Sequence, residues 1–333
     1  MRRLNAVAHE ALKKYGLGTA RLTFLTYHGN AIYRVDKLSA TTRRLKGGPF
    51  VPGRWVLRIH MPYHSAAEIR SELEWLSALR RDADLPVPEP VPTKDGQLLF
   101  EADIPGSSGC RFVSLLRWLD GRFYPNRLTP ARARAWGRLM AQLHEHTSQW
   151  RRPAGFTRRH RDWNGLFGKG AGFEYPADEL WEAVPKRFQD AFQDVTDGLR
   201  KVMRKLGKGP DVYGLVHADL GVNTNVLFKG GEARVIDFDD SAYAYWLHDL
   251  AFALSPWVGN RHLPWVRETL LEGYAEVRSL PESQLKYLDL FMAGFQANLL
   301  LWMIDWAKLQ PRSERPRKAI RHHGENLLRY YRS

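Results

Sequence analysis

Two short apolar runs, residues 225–228 and 233–238, flank Lys229-Gly230-Gly231. Apolar, partly β-branched residues on both sides of a glycine-bearing turn predict a β-hairpin. Asn225 and Asp237 are equidistant from Gly231, so a hairpin folded about that glycine sets the two opposite each other at its open end. An amide oxygen beside a carboxylate suits a hard divalent cation such as Mg²⁺, which takes oxygen ligands and shares its coordination with phosphates. Asp219 stands upstream, in the loop that enters the first run. A carboxylate next to a metal–phosphate site is placed to orient an attacking hydroxyl and accept its proton. Any one of these residues alone could simply cap a turn. It is the order His-x-Asp, then Asn, then Ile-Asp-Phe across a glycine turn that carries specificity.

The rest of the chain divides by pattern. Residues 4–15 place Leu4, Val7, Ala8, Ala11, Leu12 and Tyr15 on one helical face. Residues 21–26 and 31–36 read as strands joined at Tyr27-His-Gly29-Asn30, residues 39–53 as a loop, and 55–60 as a third strand. Ser65 has the character of an N-cap for a helix over 66–81, and four prolines between 86 and 92 mark an extended segment. Strands over 97–103 and 111–116 complete a small antiparallel sheet carrying one inserted helix. From Thr129 onward helices dominate: 130–150, 181–206, 262–277, 282–309 and a terminal one. One β region, 213–238, interrupts them. Residues 117–121, where the composition changes, read as a linker.

Composition narrows the function classes. Cys110 is the only cysteine, which excludes an intramolecular disulfide. The most apolar stretch, 287–304, contains Asp289, Gln296 and Asn298, so a buried helix is expected and not a membrane span. No apolar run follows the basic N-terminus, and a cytoplasmic location is expected. Net charge is +14, from 50 Lys and Arg against 36 Asp and Glu. Such a surplus attracts polyanions. The basic clusters, five arginines in 151–161 and eight Lys/Arg in 308–333, are read as solvated faces. No nucleic-acid signature accompanies them, so a nucleic-acid partner is not expected.

The stretch His217-Ala-Asp219, Asn225, Ile236-Asp237-Phe238 resembles the catalytic and metal loops of the aminoglycoside phosphotransferase/choline kinase superfamily, distant relatives of the protein kinases. Within it the chain is most similar to the bacterial branch of stress-response Ser/Thr kinases and homoserine-kinase-like enzymes. The resemblance implies an α+β, bilobal, protein-kinase-like fold: an N-terminal nucleotide-binding lobe (1–116), a hinge (117–121) and a larger, mostly helical catalytic and substrate lobe (122–333). It implies Asp219 as the catalytic residue, Asn225 and Asp237 as metal ligands, and Asp249 as a support for the loop. His217 is read as pinning that loop. Two departures stand out. The family's Asn position falls here on Thr224, which makes Asn223 a competitor to Asn225. The family's phosphate-binding Lys is replaced by Arg58, which is not equivalent to Lys. Its carboxylate partner is expected to be Glu72, with Glu68 as the alternative. Gly29 and Asn30 correspond to a phosphate-contacting turn, and the backbone of Arg117 and Leu119 to the adenine-binding hinge.

The expected activity is ATP- and Mg²⁺-dependent phosphoryl transfer to a hydroxyl-bearing substrate. A protein Ser/Thr is ranked first, a small hydroxylated metabolite second and an antibiotic third. A nucleotide-binding pseudokinase acting as an interaction module is the alternative from another class.

Overall fold

The computed structural model describes residues 2–37, 48–124 and 127–331; residues 39–47 of the expected 39–53 loop fall outside these. The chain forms two compact units. The first comprises Met1–Phe123, Arg151–Thr157 and Leu227–Asp239, and the second Tyr124–Trp150, Arg158–Val226 and Asp240–Ser333. The units are not contiguous in sequence, because the hairpin segment 227–239 packs with the N-terminal sheet.

In the first unit, helix α1 (Arg2–Lys14) precedes strands β1 (Arg21–His28), β2 (Asn30–Asp36) and β3 (Phe50–Ile59). Helix α2 (Ala66–Ala83) follows, then β4 (Pro90–Val91), β5 (Phe100–Asp103) and β6 (Cys110–Leu119). The sheet order is β1-β2-β3-β6-β4, with β5 also on β6, and every pairing is antiparallel. Strand alternation separates the two faces of β3. Leu57 and Ile59 join Tyr33, Val35, Val113 and Leu115 in a core closed by Val7, Ala8, Ala11 and Leu12 of α1. Arg58 therefore points to the other face. Strand β3 begins earlier than the sequence suggested, at Phe50. Pro52 and Gly53 are accommodated because the register against β6 slips between Phe50 and Trp55. Strand β6 extends to Leu119 and so runs through most of the expected hinge.

The start of α2 is set locally. The Ser65 side chain accepts from Glu68 N–H, and the Glu68 carboxylate accepts from Ser65 N–H, a complete capping box. The hairpin is built from β8 (Val226–Lys229) and β9 (Glu232–Val235). Gly230 and Gly231 both have positive φ, 57° and 85°, so the pair forms a two-residue turn. The hairpin is thus centred between the two glycines and not on Gly231. Asn225 and Asp237 are consequently not the symmetric partners that the sequence pattern suggested.

The second unit carries α3 (Pro130–Gln149), α4 (Trp163–Phe167), α5 (Ala177–Glu182), α6 (Lys186–Leu206) and β7 (Tyr213–Val216). Strand β10 (Ala242–Tyr245), which the sequence reading missed, pairs antiparallel with β7. It leads into α7 (Trp246–Leu254), α8 (Leu263–Ala275), α9 (Glu282–Leu285), α10 (Leu288–Leu309) and α11 (Glu314–Tyr331). Two expected helices are each split. Pro185 cannot continue a helix from 181 and instead begins α6. The 282–309 segment breaks between Leu285 and Leu288. That segment is long and apolar enough to cross a membrane by composition, yet 67% of its most apolar window is buried inside the protein. Helices α3 and α8 approach closely because Gly137 and Gly273 present no side chain: a β-carbon at either would overlap the backbone of Leu270 or Arg134.

Candidate active site

In the first unit, β3 delivers Arg58 and α2 delivers Glu72, at 3% and 1% exposure. Arg58 Nη1 donates to Glu72 Oε1 in a short buried ion pair. Glu68 is occupied by the cap of α2, which leaves Glu72 as the partner. Three residues on, Trp75 meets Phe238 edge-to-face at 5.1 Å between ring centroids. Phe238 is fully buried, so it anchors the segment that carries Asp237 and Asp239 to the same helix that holds Arg58. Arg58 Nη2 then lies 3.8 Å from Asp237 Oδ1 and 3.7 Å from Asp239 Oδ2. Burial works against the charge on Arg58, but Glu72, Asp237 and Asp239 outweigh it and push its pKa up, so the guanidinium is charged. Its Nε and Nη2 are buried and make no hydrogen bond. Asp237 adopts φ 66°, a left-handed conformation unusual for a residue with a side chain. His60, pushed well down by burial and by the Arg58 charge, stays neutral and bonds Ser114 Oγ at 2.8 Å.

The other predicted residues of this unit are placed as follows. Gly29 is the single residue between β1 and β2, at φ 78°, with His28 and Asn30 as register partners. Asn30 is buried and both ends of its amide are engaged: Nδ2 donates to Asp239 Oδ2 at 3.0 Å, and Oδ1 accepts from Met61 N–H at 3.1 Å. The backbone N–H of Arg117 donates to Glu89 C=O, and its guanidinium bonds Glu89 and covers Phe50. That N–H is therefore already used. Leu119 packs with Phe50, Leu227 and Ile236. Asp120 N–H turns toward Pro49 C=O on the β3 side. Residues alternate along a strand, so the backbone of Leu119 faces the opposite edge, past the end of β4.

In the second unit the chain leaves β7 through His217, Ala218 and Asp219. Ala218 has φ 65°, and its strained turn is held by one buried carboxylate. Asp249, with no exposed surface, accepts from His217 N–H at 3.2 Å and Ala218 N–H at 2.8 Å. It also accepts from His144 Nε2 at 3.1 Å, whose Nδ1 in turn meets Tyr274 O–H at 2.8 Å. Burial pushes His144 down, so the ring is neutral with its proton directed at Asp249. Burial alone would raise Asp249, but the hydrogen bond from His144 and the surrounding histidines hold it below the usual carboxylate range. Asp219 N–H donates to His217 Nδ1 at 3.2 Å. The Asn225 side chain donates through Nδ2 to Asp219 C=O at 3.0 Å and to Asp219 Oδ2 at 2.7 Å. Its Oδ1 accepts no hydrogen bond among the described residues. Asn223 is exposed, whereas Asn225 is buried.

The structure thus brings Arg58, Glu72 and Asp237 together in one unit, and Asp219 with Asn225 in the other. Sequence reading missed Asp239, and the signal was present: Asp237-Phe238-Asp239 alternates two acids with an aromatic just after the second hairpin strand. It also missed His144 and Tyr274, which lie far from the motif in sequence and carry no local signature. Among the described residues no group of three or more His, Cys, Asp or Glu side chains forms a ready-made metal cage. That is compatible with a cation that takes one or two protein ligands and completes its sphere with phosphate and water. Each unit offers an oxygen donor of that kind: in the second the amide oxygen of Asn225 accepts no hydrogen bond among the described residues, and in the first the Asp237 side chain is 47% exposed.

The first unit is an antiparallel sheet with one inserted helix and the second is mostly helical, an α+β fold. Residues 36–283 match the phosphotransferase enzyme family, APH, and the chain belongs to that family. It is similar to the solved structure of a microcompartment-associated aminopropanol kinase, with 31% identity and a TM-score of 0.78 over 98% of this chain and 96% of that one. It is 26% identical to amicoumacin kinase of Bacillus subtilis (strain 168) over 260 residues, 74% of this chain and 66% of the relative. It is 27% identical to homoserine kinase of Agrobacterium fabrum (strain C58 / ATCC 33970) over 241 residues, 67% and 65% respectively. The chain therefore spans just under two thirds of the length of those two curated relatives.

Proposed function

We propose that this protein transfers the γ-phosphoryl group of ATP to the hydroxyl of a small, amine-bearing molecule. The observation that carries the reading is Arg58: a buried, charged guanidinium with two unbonded nitrogens, beside the exposed carboxylate of Asp237. Burying N–H donors without partners is costly, and phosphate oxygens are the ligands that would satisfy them. Asn225 Oδ1 in the second unit and the Asp237 carboxylate in the first are each candidate oxygen ligands for Mg²⁺, which when bound neutralises phosphate charge. Glu72 fixes Arg58 so that Nε and Nη2 are presented to the nucleotide. The Asn225 amide donates to Asp219 Oδ2 and so fixes the plane of that carboxylate. Asp219 orients the acceptor hydroxyl and takes its proton as the oxygen–phosphorus bond forms and the bond to the ADP leaving oxygen breaks. Asp249 and His144 hold the turn that aims Asp219.

The relatives favour a small hydroxyl-bearing acceptor over the protein Ser/Thr that the sequence reading ranked first. Aminopropanol and homoserine each place a hydroxyl near an amine, and amicoumacin is a small molecule too. The test is ADP release from ATP and Mg²⁺ with panels of amino alcohols, hydroxyl amino acids and antibiotics, wild type beside Asp219→Asn. Turnover is expected with one panel and is expected to vanish in the variant. Release that is independent of every acceptor and unchanged in Asp219→Asn would reject the reading.

A further inference from the structure

Asp239 lies outside the residues whose roles were expected, yet it makes a side-chain contact that ties the β1–β2 tip to the segment beside Arg58. Its Oδ2 accepts from Asn30 Nδ2 at 3.0 Å and stands 3.7 Å from Arg58 Nη2. Asn30 follows Gly29 directly, at a turn one residue wide, and is 3% exposed. Its Oδ1 takes the N–H of Met61, just past the end of β3. The tip is thus pinned at two points, one of them the carboxylate next to the phosphate-directed arginine. The neighbouring strand β1 is an edge strand, paired on one side only with β2, and it exposes Phe24, Leu25 and Tyr27.

The distances around Arg58 bear on the same point. Asp237 and Asp239 stand at 3.8 and 3.7 Å from Nη2, near enough to stabilise its charge and too far to use up its N–H groups. Two acids at nearly equal distance hold the guanidinium centred while leaving donors for a ligand.

Resting on the phosphotransferase reading, we propose that Asp239 is a positioning residue for the nucleotide: through Asn30 it clamps the Gly29 turn, and by sharing Nη2 with Asp237 it fixes the direction Arg58 presents. The clamp and the arginine are linked because one carboxylate oxygen serves both.

The test measures the affinity of Mg²⁺·AMP-PNP by calorimetry, with thermal unfolding as a check on folding. The set is wild type, Asn30→Ala, Asp239→Ala, their double variant, and the exchanged pair Asn30→Asp with Asp239→Asn. Each alanine variant is expected to bind about tenfold more weakly, and the double variant to lose clearly less than the product of the two losses, because both remove the shared Asn30–Asp239 bond. The exchanged pair reverses donor and acceptor, keeps an acceptor for Met61 N–H, and is expected to restore binding to within about threefold. If an alanine variant fails to fold, Asp239→Asn alone, which keeps an acceptor for Asn30 but loses the charge beside Arg58, is expected to bind about threefold more weakly. Folded variants that bind as tightly as wild type, or losses that multiply in the double variant with no recovery in the exchanged pair, would overturn the clamp. Wild-type protein that does not bind Mg²⁺·AMP-PNP would overturn the phosphotransferase reading and the clamp together.

Discussion

Asp249 and Arg58 are both buried charges, at 0% and 3% exposure, and the protein treats them in opposite ways. Asp249 receives two backbone N–H groups and His144, and spends its whole capacity on the turn that carries Asp219. Arg58 receives one firm partner, Glu72, and keeps Nε and Nη2 unbonded beside two carboxylates held at arm's length. The first arrangement makes a rigid support. The second retains binding capacity at a cost in stability. A buried polar group that is satisfied specifies structure; one that is left unsatisfied points to a ligand.

This contrast can be broken most forcefully at Asp249. Asp249→Ala would leave two backbone N–H groups and His144 N–H buried without partners, and a loss of about 3–6 kcal/mol is expected in urea unfolding. A loss below about 1 kcal/mol would mean the turn does not depend on that carboxylate. At Arg58 the effect is smaller and reversible. Arg58→Met strands Glu72 as a buried charge, with an expected cost of about 3 kcal/mol, and adding Glu72→Leu should recover most of it. The double variant should still fail to bind Mg²⁺·AMP-PNP. Recovery of binding along with stability would show that the arginine is structural only.

Buried groups also respond differently to pH. His248 is buried and pushed down to about 4, first by burial and then by Arg161. The unfolded chain takes up this proton near its ordinary pKa of about 6.5, while the folded one does not. Stability is therefore fully present above that pH and falls as pH drops toward the folded value, by about 1.4 kcal/mol per pH unit for this one proton. Asp249 acts in a different window. Its depressed pKa contributes stability that is lost only as pH falls below the normal carboxylate range. His248→Phe should reduce the slope of stability against pH between 6 and 4.5 by one proton; an unchanged slope would assign the titration elsewhere.

Much of this was legible in the sequence because it was local. Ser65 and Glu68 are three residues apart and cap α2 by themselves. Glycines at the hairpin turn, and Asp219, Asn225 and Asp237 around it, follow from spacing. The errors came where position depends on a neighbour distant in sequence. The hairpin's centre shifted because two glycines, not one, share the turn. Arg117 N–H is taken by Glu89, whose approach along β6 no periodicity could announce. The Asn30 amide serves Asp239, 209 residues away, a partner that no local spacing announces.

In the proposed reaction Arg58 serves the nucleotide while Asp219 takes the acceptor's proton, and Asp219→Asn separates the two roles. For an acceptor that the wild type turns over, ADP release should fall by roughly 10²–10⁴-fold, while Mg²⁺·AMP-PNP affinity stays within about twofold of wild type. Turnover within a few-fold of wild type would show that Asp219 does not take that proton.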